Sequence, residues 1–191
     1  MLTVLVIDES RSRAGEICAG LALAGYQVAA ILAGSENLTA EVEKLQPDVI
    51  LIDTDSPSRD TLEHLATMNK DMPRPVVIFT QEDGQAMIRD AVKAGVSAYI
   101  VDGLDPKRIK PIVEVARARF EDTQALRREL DEVSKKLTDR KLVDKAKGVL
   151  MKARGLDEDA AYHAMRKLAM ERGQSMAKVA RDVIDMARVL L

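Results

Sequence analysis

The chain has 191 residues, of which 47% are hydrophobic and 31% are charged, and its formal net charge is −2. That length is sufficient for one full domain and one small one. The single cysteine, Cys18, excludes an intrachain disulfide, and no apolar run approaches membrane-spanning length. Because an aliphatic run begins directly after Met1, we expect no secretory signal and a cytoplasmic protein.

The charged residues are distributed unevenly along the chain. Residues 1–105 contain 8 Lys and Arg against 17 Asp and Glu, whereas residues 106–191 contain 21 against 14. A basic second half favours the binding of a polyanion there, with an uneven but solvated surface as the alternative.

Strand and helix patterns alternate through the first part of the chain. Aliphatic runs predict five strands, and periodic segments predict the helices between them, the first of which ends at Gly25. The predicted strands are 2–7, 28–32, 48–52, 76–79 and 98–101, and the later helices are 39–45, 60–69 and 84–94. Strands that are buried on both faces and alternate with helices form a parallel sheet. We therefore predict an α/β flavodoxin-like domain with a doubly wound parallel five-stranded sheet in the order 2-1-3-4-5.

Acidic side chains stand at the carboxyl ends of the predicted strands, where sheets of this kind bind their ligands. Asp8 and Glu9 follow the first strand, Asp53 follows the third, and Thr80 follows the fourth. Three carboxylates without basic partners repel one another, and a divalent cation with oxygen ligands relieves that repulsion. The pattern predicts a phosphoryl-acceptor site in which Asp8, Glu9 and Asp53 hold Mg²⁺.

These positions resemble the receiver domain of two-component response regulators. The resemblance assigns the metal-binding pair to Asp8 and Glu9, the phosphoacceptor to Asp53, the switch hydroxyl to Thr80 and the switch aromatic to Tyr99. The chain departs from the family at Asp102, where receivers have a lysine that neutralises the phosphoryl group. Since a carboxylate repels an acyl phosphate, the acidic cluster is either a phosphorylation site or a structural or metal site.

A second pattern begins at Pro106. Apolar residues at helical spacing lead into a heptad-like series, and no glycine lies between Leu104 and Lys147. The series consists of Leu126, Leu130, Val133 and Leu137. We predict one long helix with a short coiled coil that pairs two subunits as a homodimer, and a monomeric helix packed on the receiver domain is the alternative. The predicted divisions are a receiver-like domain at 1–105, a coiled-coil linker at 106–137 and a helical domain at 138–191.

Residues 138–191 predict a small all-α three-helix bundle. The first helix has an apolar side and a cationic side, Gly155 is placed to end it, and Asp157 and Ser175 are placed to begin the next two. We interpret the methionines at 151, 165, 170, 176 and 186 as core residues, because they follow the apolar stripes. The cationic side is a candidate anion-binding surface.

Three separated blocks resemble the ANTAR domain, the RNA-binding module of transcription antiterminators. They are AKGVLM at 146–151, AAYHAMRKLA at 160–169 and VARDVI at 179–184. The resemblance implies binding to hairpins in a leader mRNA, which prevents the terminator from forming. Candidate RNA-binding residues are Arg140, Lys141, Lys145, Lys147 and Arg166 for phosphates, Gly148 for close backbone approach and Tyr162 for stacking on an unpaired base. A core position is the alternative for Tyr162.

Among receiver–ANTAR chains, the segments LIDTDSP at 51–57 and GVSAYIVDG at 95–103 most resemble the NasT type. That type controls nitrate and nitrite assimilation operons, and a nitrate-sensing NasS-like inhibitory protein holds it inactive until ligand binds. The competing interpretations are a phosphorylation-driven regulator with a DNA-binding helical output domain, and a module for dimerisation or for an acidic partner. We expect no enzyme, because no P-loop, dinucleotide fingerprint or nucleophile elbow occurs in the sequence.

Overall fold

The computed structural model describes residues 1–9, 13–101 and 105–190. The strands are β1 (Thr3–Asp8), β2 (Gln27–Leu32), β3 (Val49–Asp53), β4 (Val76–Thr80) and β5 (Ala98–Val101). The helices are α1 (Ala14–Leu23), α2 (Leu38–Leu45), α3 (Arg59–Asp71), α4 (Gln85–Lys93), α5 (Ile109–Arg154), α6 (Glu158–Arg172) and α7 (Met176–Leu190). Strands and helices alternate up to β5, and the elements that follow are all helical.

The five strands form one parallel sheet in the order β2-β1-β3-β4-β5. This confirms the predicted doubly wound topology. Successive residues of β3 alternate between two buried clusters: Ile50 and Ile52 pack with residues of α2, α3 and α4, whereas Val49 and Leu51 pack with α1 and the start of α5. Because both faces of the sheet are covered, β1, β3 and β4 each contain a continuous run of buried aliphatic residues.

Tyr26, which lies between α1 and β2, holds the first turns of α5 against the sheet. Its side chain is buried, and its hydroxyl donates a hydrogen bond to Oε1 of Glu114 on α5 at 3.0 Å. Burial, and then the Glu114 carboxylate, raise the pKa of Tyr26 to about 12. The folded protein therefore retains this proton at pH values where an ordinary tyrosine loses it.

This raised pKa makes stability depend on pH in the alkaline range. Below pH 10 the tyrosine is protonated in the folded and unfolded states alike, whereas between pH 10 and about 12 only the unfolded state releases the proton. The free energy of unfolding is therefore expected to fall as pH rises through this window, with about 3 kcal/mol due to Tyr26. Urea unfolding of wild type and Tyr26→Phe over this range provides the measurement. The phenylalanine variant should decline less steeply, and parallel curves would contradict the assignment.

The chain divides into two compact units, Met1–Gln124 and Ala125–Leu191. Helix α5 contributes to both, since it runs without interruption from Ile109 to Arg154. The long helix agrees with the prediction. The division placed after residue 137 falls inside α5, because the linker and the first helix of the bundle share one continuous helical backbone.

The second unit has a small core made by one side of each of its three helices. The buried members are Ala146, Met165, Ala169, Val179, Ala180 and Ile184. Asp157 caps α6 by accepting a hydrogen bond from the backbone N–H of Ala160 at 2.7 Å, and Gly155 turns the chain after α5 with a φ of +65°. No helix within the described ranges is apolar over a length that would cross a bilayer.

The interpretation of all five methionines as core residues is wrong. Met165 is buried and Met176 packs against the core, but Met151, Met170 and Met186 are exposed. The core of three short helices is narrow, so the apolar stripes of the sequence extend beyond the surface that the neighbouring helices cover.

Candidate functional site

The carboxyl edge of the sheet brings Asp8 and Asp53 side by side. Asp8 ends β1 and Asp53 ends β3, and the two residues are register partners in the parallel strand pair. Both are buried, and the side chain of Asp53 has 0% exposed surface. Two carboxylates that are close together and screened from water repel each other strongly. This edge of the sheet therefore requires a compensating positive charge.

Glu9, the second member of the predicted acidic pair, is bound by two threonines. Oγ1 of Thr54 donates to Oε2 of Glu9 at 2.7 Å, and Oγ1 of Thr61 donates to Oε1 at 3.0 Å. Thr61 belongs to α3, so this carboxylate links the end of β1 to α3. Both of its oxygens already have a hydrogen-bond donor.

Arg13 supplies positive charge beside Asp53, and the expectation that the carboxylates have no basic partner is wrong. Nε of Arg13 lies 2.9 Å from Oδ2 of Asp53, and Nη2 donates to Oδ1 of Asp55 at 3.3 Å. Burial has the largest influence on the pKa of Asp53 and raises it, Arg13 acts in the opposite direction, and Asp8 and Asp55 add to the increase. The sequence did offer a sign of this pairing, because Arg13 follows the acidic pair Asp8 and Glu9 within the same loop.

The predicted switch residues Thr80 and Tyr99 are held by backbone hydrogen bonds. Oγ1 of Thr80 donates to the carbonyl of Asp55 at 2.8 Å and accepts from the N–H of Glu82 at 3.1 Å. The Tyr99 hydroxyl donates to the carbonyl of Glu82 at 2.9 Å, and burial raises the pKa of Tyr99. The segment after β4 is thus tied to the segment after β3 and to β5. Asp102, the departure from the receiver pattern, lies outside the described residues.

Receiver domains commonly use Mg²⁺ at their acidic site. The side chains described for this chain do not fit that ion, since no group of three His, Cys, Asp or Glu residues within the described ranges is arranged to hold a metal. Glu9 is bound by two threonines, and Asp53 is paired with Arg13. The positive charge next to Asp53 belongs to the protein itself.

Helix α5 carries a surface row of lysines in the second unit. We call Lys141, Lys145, Gly148 and Lys152 the cationic stripe, because their spacing of four, three and four residues places them on one helix face. The three lysines are exposed, and none forms an ion pair with another described residue. Arg140, also predicted to bind RNA, is exposed on the same helix. The stripe is therefore available to an external anion.

Lys147 has a different environment from the lysines of the stripe. Its Nζ lies 2.8 Å from Oδ1 of Asp144 and 2.6 Å from Oε1 of Glu158, and only 16% of its side chain is exposed. Hydrogen bonds that Lys147 donates to these two carboxylates raise the pKa of Lys147, and Lys147, followed by Arg140, lowers the pKa of Asp144. Lys147 thus connects α5 to α6. Its predicted contact with RNA would have to compete with these two partners.

Lys147→Gln is expected to lower the melting temperature of the second unit at low salt. The substitution leaves Asp144 and Glu158 without the cation that lies between them, and salt screens the repulsion that results. Scanning calorimetry over a salt series is the measurement, with Lys145→Gln as the control, because Lys145 is exposed and has no ion pair with another described residue. If the two variants melt alike at every salt concentration, Lys147 has no structural role.

The predicted RNA-binding residues of α6 are Tyr162 and Arg166. Glu158, Tyr162 and Arg166 follow at intervals of four and share one row of α6, and this row approaches α5 where Glu158 contacts Lys147. Arg166 is exposed, and Tyr162 is 40% exposed, so Tyr162 is not a core residue. Its ring makes an edge contact with His163, with centroids 6.1 Å apart.

A groove with basic edges, which sequence reasoning missed, lies between α5, α6 and α7. Its volume is about 600 Å³, and its apolar lining includes Leu150 and Met186. Arg154, Lys167 and Arg172 stand among the lining residues with one carboxylate, Glu171, which lies 3.9 Å from Nζ of Lys167. Arg154 and Arg172 lie in the last turns of α5 and α6, where a cation also suits the helix dipole. In the sequence, therefore, nothing distinguished Arg154 and Arg172 from ordinary cations at helix ends.

Two family models match the chain. The response regulator receiver domain matches residues 4–114, more than half of the chain, and the ANTAR domain matches residues 131–184. The first range covers the parallel sheet and its helices, and the second covers the end of α5, α6 and most of α7. Both are regulatory families rather than enzyme families.

Individual relatives agree with these matches. The chain is 29% identical over 161 residues to the transcriptional regulatory protein PdtaR of Mycobacterium tuberculosis, spanning 84% of this chain and 78% of PdtaR. It is 36% identical over 75 residues to the nitrate regulatory protein of Klebsiella oxytoca, spanning 39% of this chain and 19% of that protein.

A solved CheY-like receiver domain from Methanospirillum hungatei JF-1 superposes with a TM-score of 0.56 at 20% identity, covering 64% of this chain and 98% of that one. At this identity the likeness concerns the fold alone, and it agrees with the sheet order described above. The two family matches lead to one conclusion. The chain belongs to the response regulators that join a receiver domain to an ANTAR domain, the RNA-binding module of transcription antiterminators.

Proposed function

We propose that this protein binds hairpins in the leader mRNA of a nitrate or nitrite assimilation operon and thereby prevents the terminator from forming. The ANTAR match supports RNA binding, and the similarity to the nitrate regulatory protein of Klebsiella oxytoca supports the connection with nitrate. The observation that carries the proposal is the cationic stripe, whose three exposed lysines have no ion pair within the described chain.

The mechanism divides RNA recognition between charge and stacking. The lysines of the cationic stripe, with Arg140 and Arg166, bind backbone phosphates and release the counterions of the RNA. Tyr162 offers an exposed ring on which an unpaired loop base stacks, the usual way in which proteins read single-stranded RNA. A hairpin supplies both features, since its stem carries dense phosphates and its loop carries unpaired bases.

Gly148 supports a close approach of RNA to the helix backbone. It lies in the middle of the cationic stripe, and a Cβ built there meets nothing within 4 Å. Its φ is negative, so neither backbone geometry nor packing inside the chain accounts for a glycine. Glycine destabilises a helix interior by about 1 kcal/mol relative to alanine. Close packing of a ligand against the helix backbone at Gly148 would explain why a destabilising glycine is present there.

Gly148→Ala is therefore expected to raise stability by about 0.5–1 kcal/mol while weakening hairpin binding. Urea unfolding and fluorescence anisotropy with a labelled hairpin measure the two effects. Gly15→Ala is the matched control, because Gly15 is also helical and a Cβ there also meets nothing within 4 Å. The control should gain stability without losing affinity. A Gly148→Ala protein with unchanged affinity would remove Gly148 from the site.

The apolar series on α5 supports a homodimer. Leu126, Leu130, Val133 and Leu137 are 54–61% exposed, although their spacing is that of a coiled-coil seam. Pairing two copies of this seam covers the exposed apolar surface and brings two RNA-binding units onto one assembly. Two units that each bind one hairpin raise the apparent affinity for a twin-hairpin leader through effective concentration.

We propose that a partner protein regulates this chain by binding to its receiver domain. Asp102 stands where receivers have the lysine that neutralises a phosphoryl group, and Asp53 is paired with Arg13. Both features disfavour an acyl phosphate at Asp53. A nitrate-sensing NasS-like inhibitory protein that binds the receiver domain provides the alternative to phosphorylation. If so, Asp53→Ala should leave antitermination under the control of this inhibitory protein.

The test of the function is a gel-shift series with the full-length protein. A twin-hairpin leader RNA, the same RNA with its loops closed by extra base pairs, and duplex DNA of equal length are compared over a salt series. We expect tight binding that depends on the loops and weakens as salt rises. Equal or stronger binding of the duplex DNA would favour a DNA-binding output domain, and no binding of either nucleic acid would favour a module for dimerisation or for an acidic partner.

A further inference from the structure

The surroundings of Asp53 do little to stabilise its ionised carboxylate. Its side chain has 0% exposed surface, it neighbours the buried Asp8 across the β1–β3 pair, and apart from the contact with Arg13 its carboxylate oxygens have no hydrogen-bond donor among the described residues. A buried ionised carboxylate requires an opposite charge or hydrogen-bond donors. The nearby cation is consequently the principal support for the ionised form of Asp53.

Arg13 is that cation, and its position has no explanation in local helix chemistry. It is the N-cap residue of α1, where short side chains that accept hydrogen bonds are favoured, and it makes no side-chain cap. A cation at a helix N-terminus also opposes the helix dipole. The unfavourable position is compensated by the contact of 2.9 Å with Asp53 and the further contact with Asp55.

Two other residues of the receiver pattern, Glu9 and Asp102, also differ from what a phosphoacceptor site requires. The carboxylate of Glu9 is occupied by the hydroxyls of Thr54 and Thr61. The chain has Asp102 where the receiver family has its phosphoryl-neutralising lysine. An arginine from α1 therefore provides charge that receivers obtain from a metal ion and from that lysine.

We propose that Arg13 is the resident cation of the acidic edge, and that it keeps Mg²⁺ and phosphoryl groups away from Asp53. Asp53 then serves as the buried partner of an ion pair that fastens the start of α1 to the end of β3. This inference does not depend on RNA binding. In this receiver domain an internal ion pair, which needs neither ligand, takes the place of a metal-dependent phosphoacceptor.

The first measurement is made on the full-length wild-type protein. Its melting temperature is recorded with and without MgCl₂, and again with MgCl₂ and beryllofluoride, a phosphoryl mimic. The ionic strength is held constant with NaCl. No specific increase is expected, because Arg13 already neutralises Asp53. A wild-type protein that Mg²⁺ or beryllofluoride stabilises specifically would overturn the proposal, whatever the variants do.

The second measurement removes the cation. Arg13→Gln is expected to lower the melting temperature by about 5 °C, because a buried carboxylate loses its partner, although the 30% exposure of the arginine side chain moderates the effect. Arg13→Gln is also expected to become responsive to Mg²⁺, which can now approach Asp53. Arg13→Lys retains the charge and should remain unresponsive.

Two further variants separate an ion pair from a purely steric role. Adding Asp53→Asn to Arg13→Gln removes the unsupported charge and should recover most of the lost stability. Arg59→Gln is the matched control, since Arg59 pairs with Glu63 at 2.8 Å on the exposed surface of α3 and its loss should have little effect. If Arg13→Gln melts like Arg59→Gln, or if Asp53→Asn fails to restore stability, Arg13 is not the cation that supports Asp53.

Discussion

Leu130→Asp is expected to convert the proposed dimer into monomers and to reduce the affinity for a twin-hairpin leader by about 10²–10⁴-fold. Leu130 lies in the middle of the apolar series on α5 and is 61% exposed in the single chain. A charge at this position of a two-stranded seam would be buried against its own copy. Analytical ultracentrifugation and anisotropy with the leader RNA measure the two effects.

A single hairpin distinguishes loss of pairing from damage to the RNA-binding surface. Leu130→Asp should bind one isolated hairpin as wild type does, since only the effective concentration of the second unit is lost. Leu23→Asp is the matched control, because Leu23 is equally apolar and even more exposed but lies on α1. A Leu130→Asp protein that remains dimeric would show that the subunits pair through another surface.

Removing two charges from the cationic stripe should weaken RNA binding by at least about tenfold, as expected when two phosphate contacts are lost. Lys141 and Lys145 are exposed, and neither has an ion pair within the described chain, so Lys141→Gln/Lys145→Gln should not disturb folding. The plot of log affinity against log salt should become shallower by roughly 1.4–2. Anisotropy titrations at several salt concentrations measure both quantities.

A second double variant controls for net charge. Lys107→Gln/Lys110→Gln removes the same two charges from exposed positions in the first unit and should leave the affinity and its salt dependence close to those of wild type. If both double variants lose affinity equally, RNA binding follows the overall charge of the chain. In that event the cationic stripe is not the binding surface.

The sequence by itself determined the architecture. Aliphatic runs and helical periodicity report burial directly, because a parallel strand is covered on both faces and a surface helix on one. The alternation of strand and helix patterns predicted a doubly wound parallel sheet of five strands, and the glycine-free run after Leu104 predicted a long helix. The continuation of α5 past residue 137 to Arg154 was seen only in the structure. The acidic residues at the ends of β1 and β3 were also identified correctly as neighbours, since register in a parallel sheet places strand ends together.

Only the tertiary structure decided how the charges pair. Arg13 meets Asp53, and Lys147 lies between Asp144 and Glu158, whereas Lys141 and Lys145 on the same helix as Lys147 face solvent. A long cationic side chain on a helix surface has the same appearance in a sequence whether it pairs, binds a ligand or is solvated, because its periodicity records only that it is not in the core. The partner is set by distances of a few ångströms between residues far apart in the chain, and packing fixes those distances.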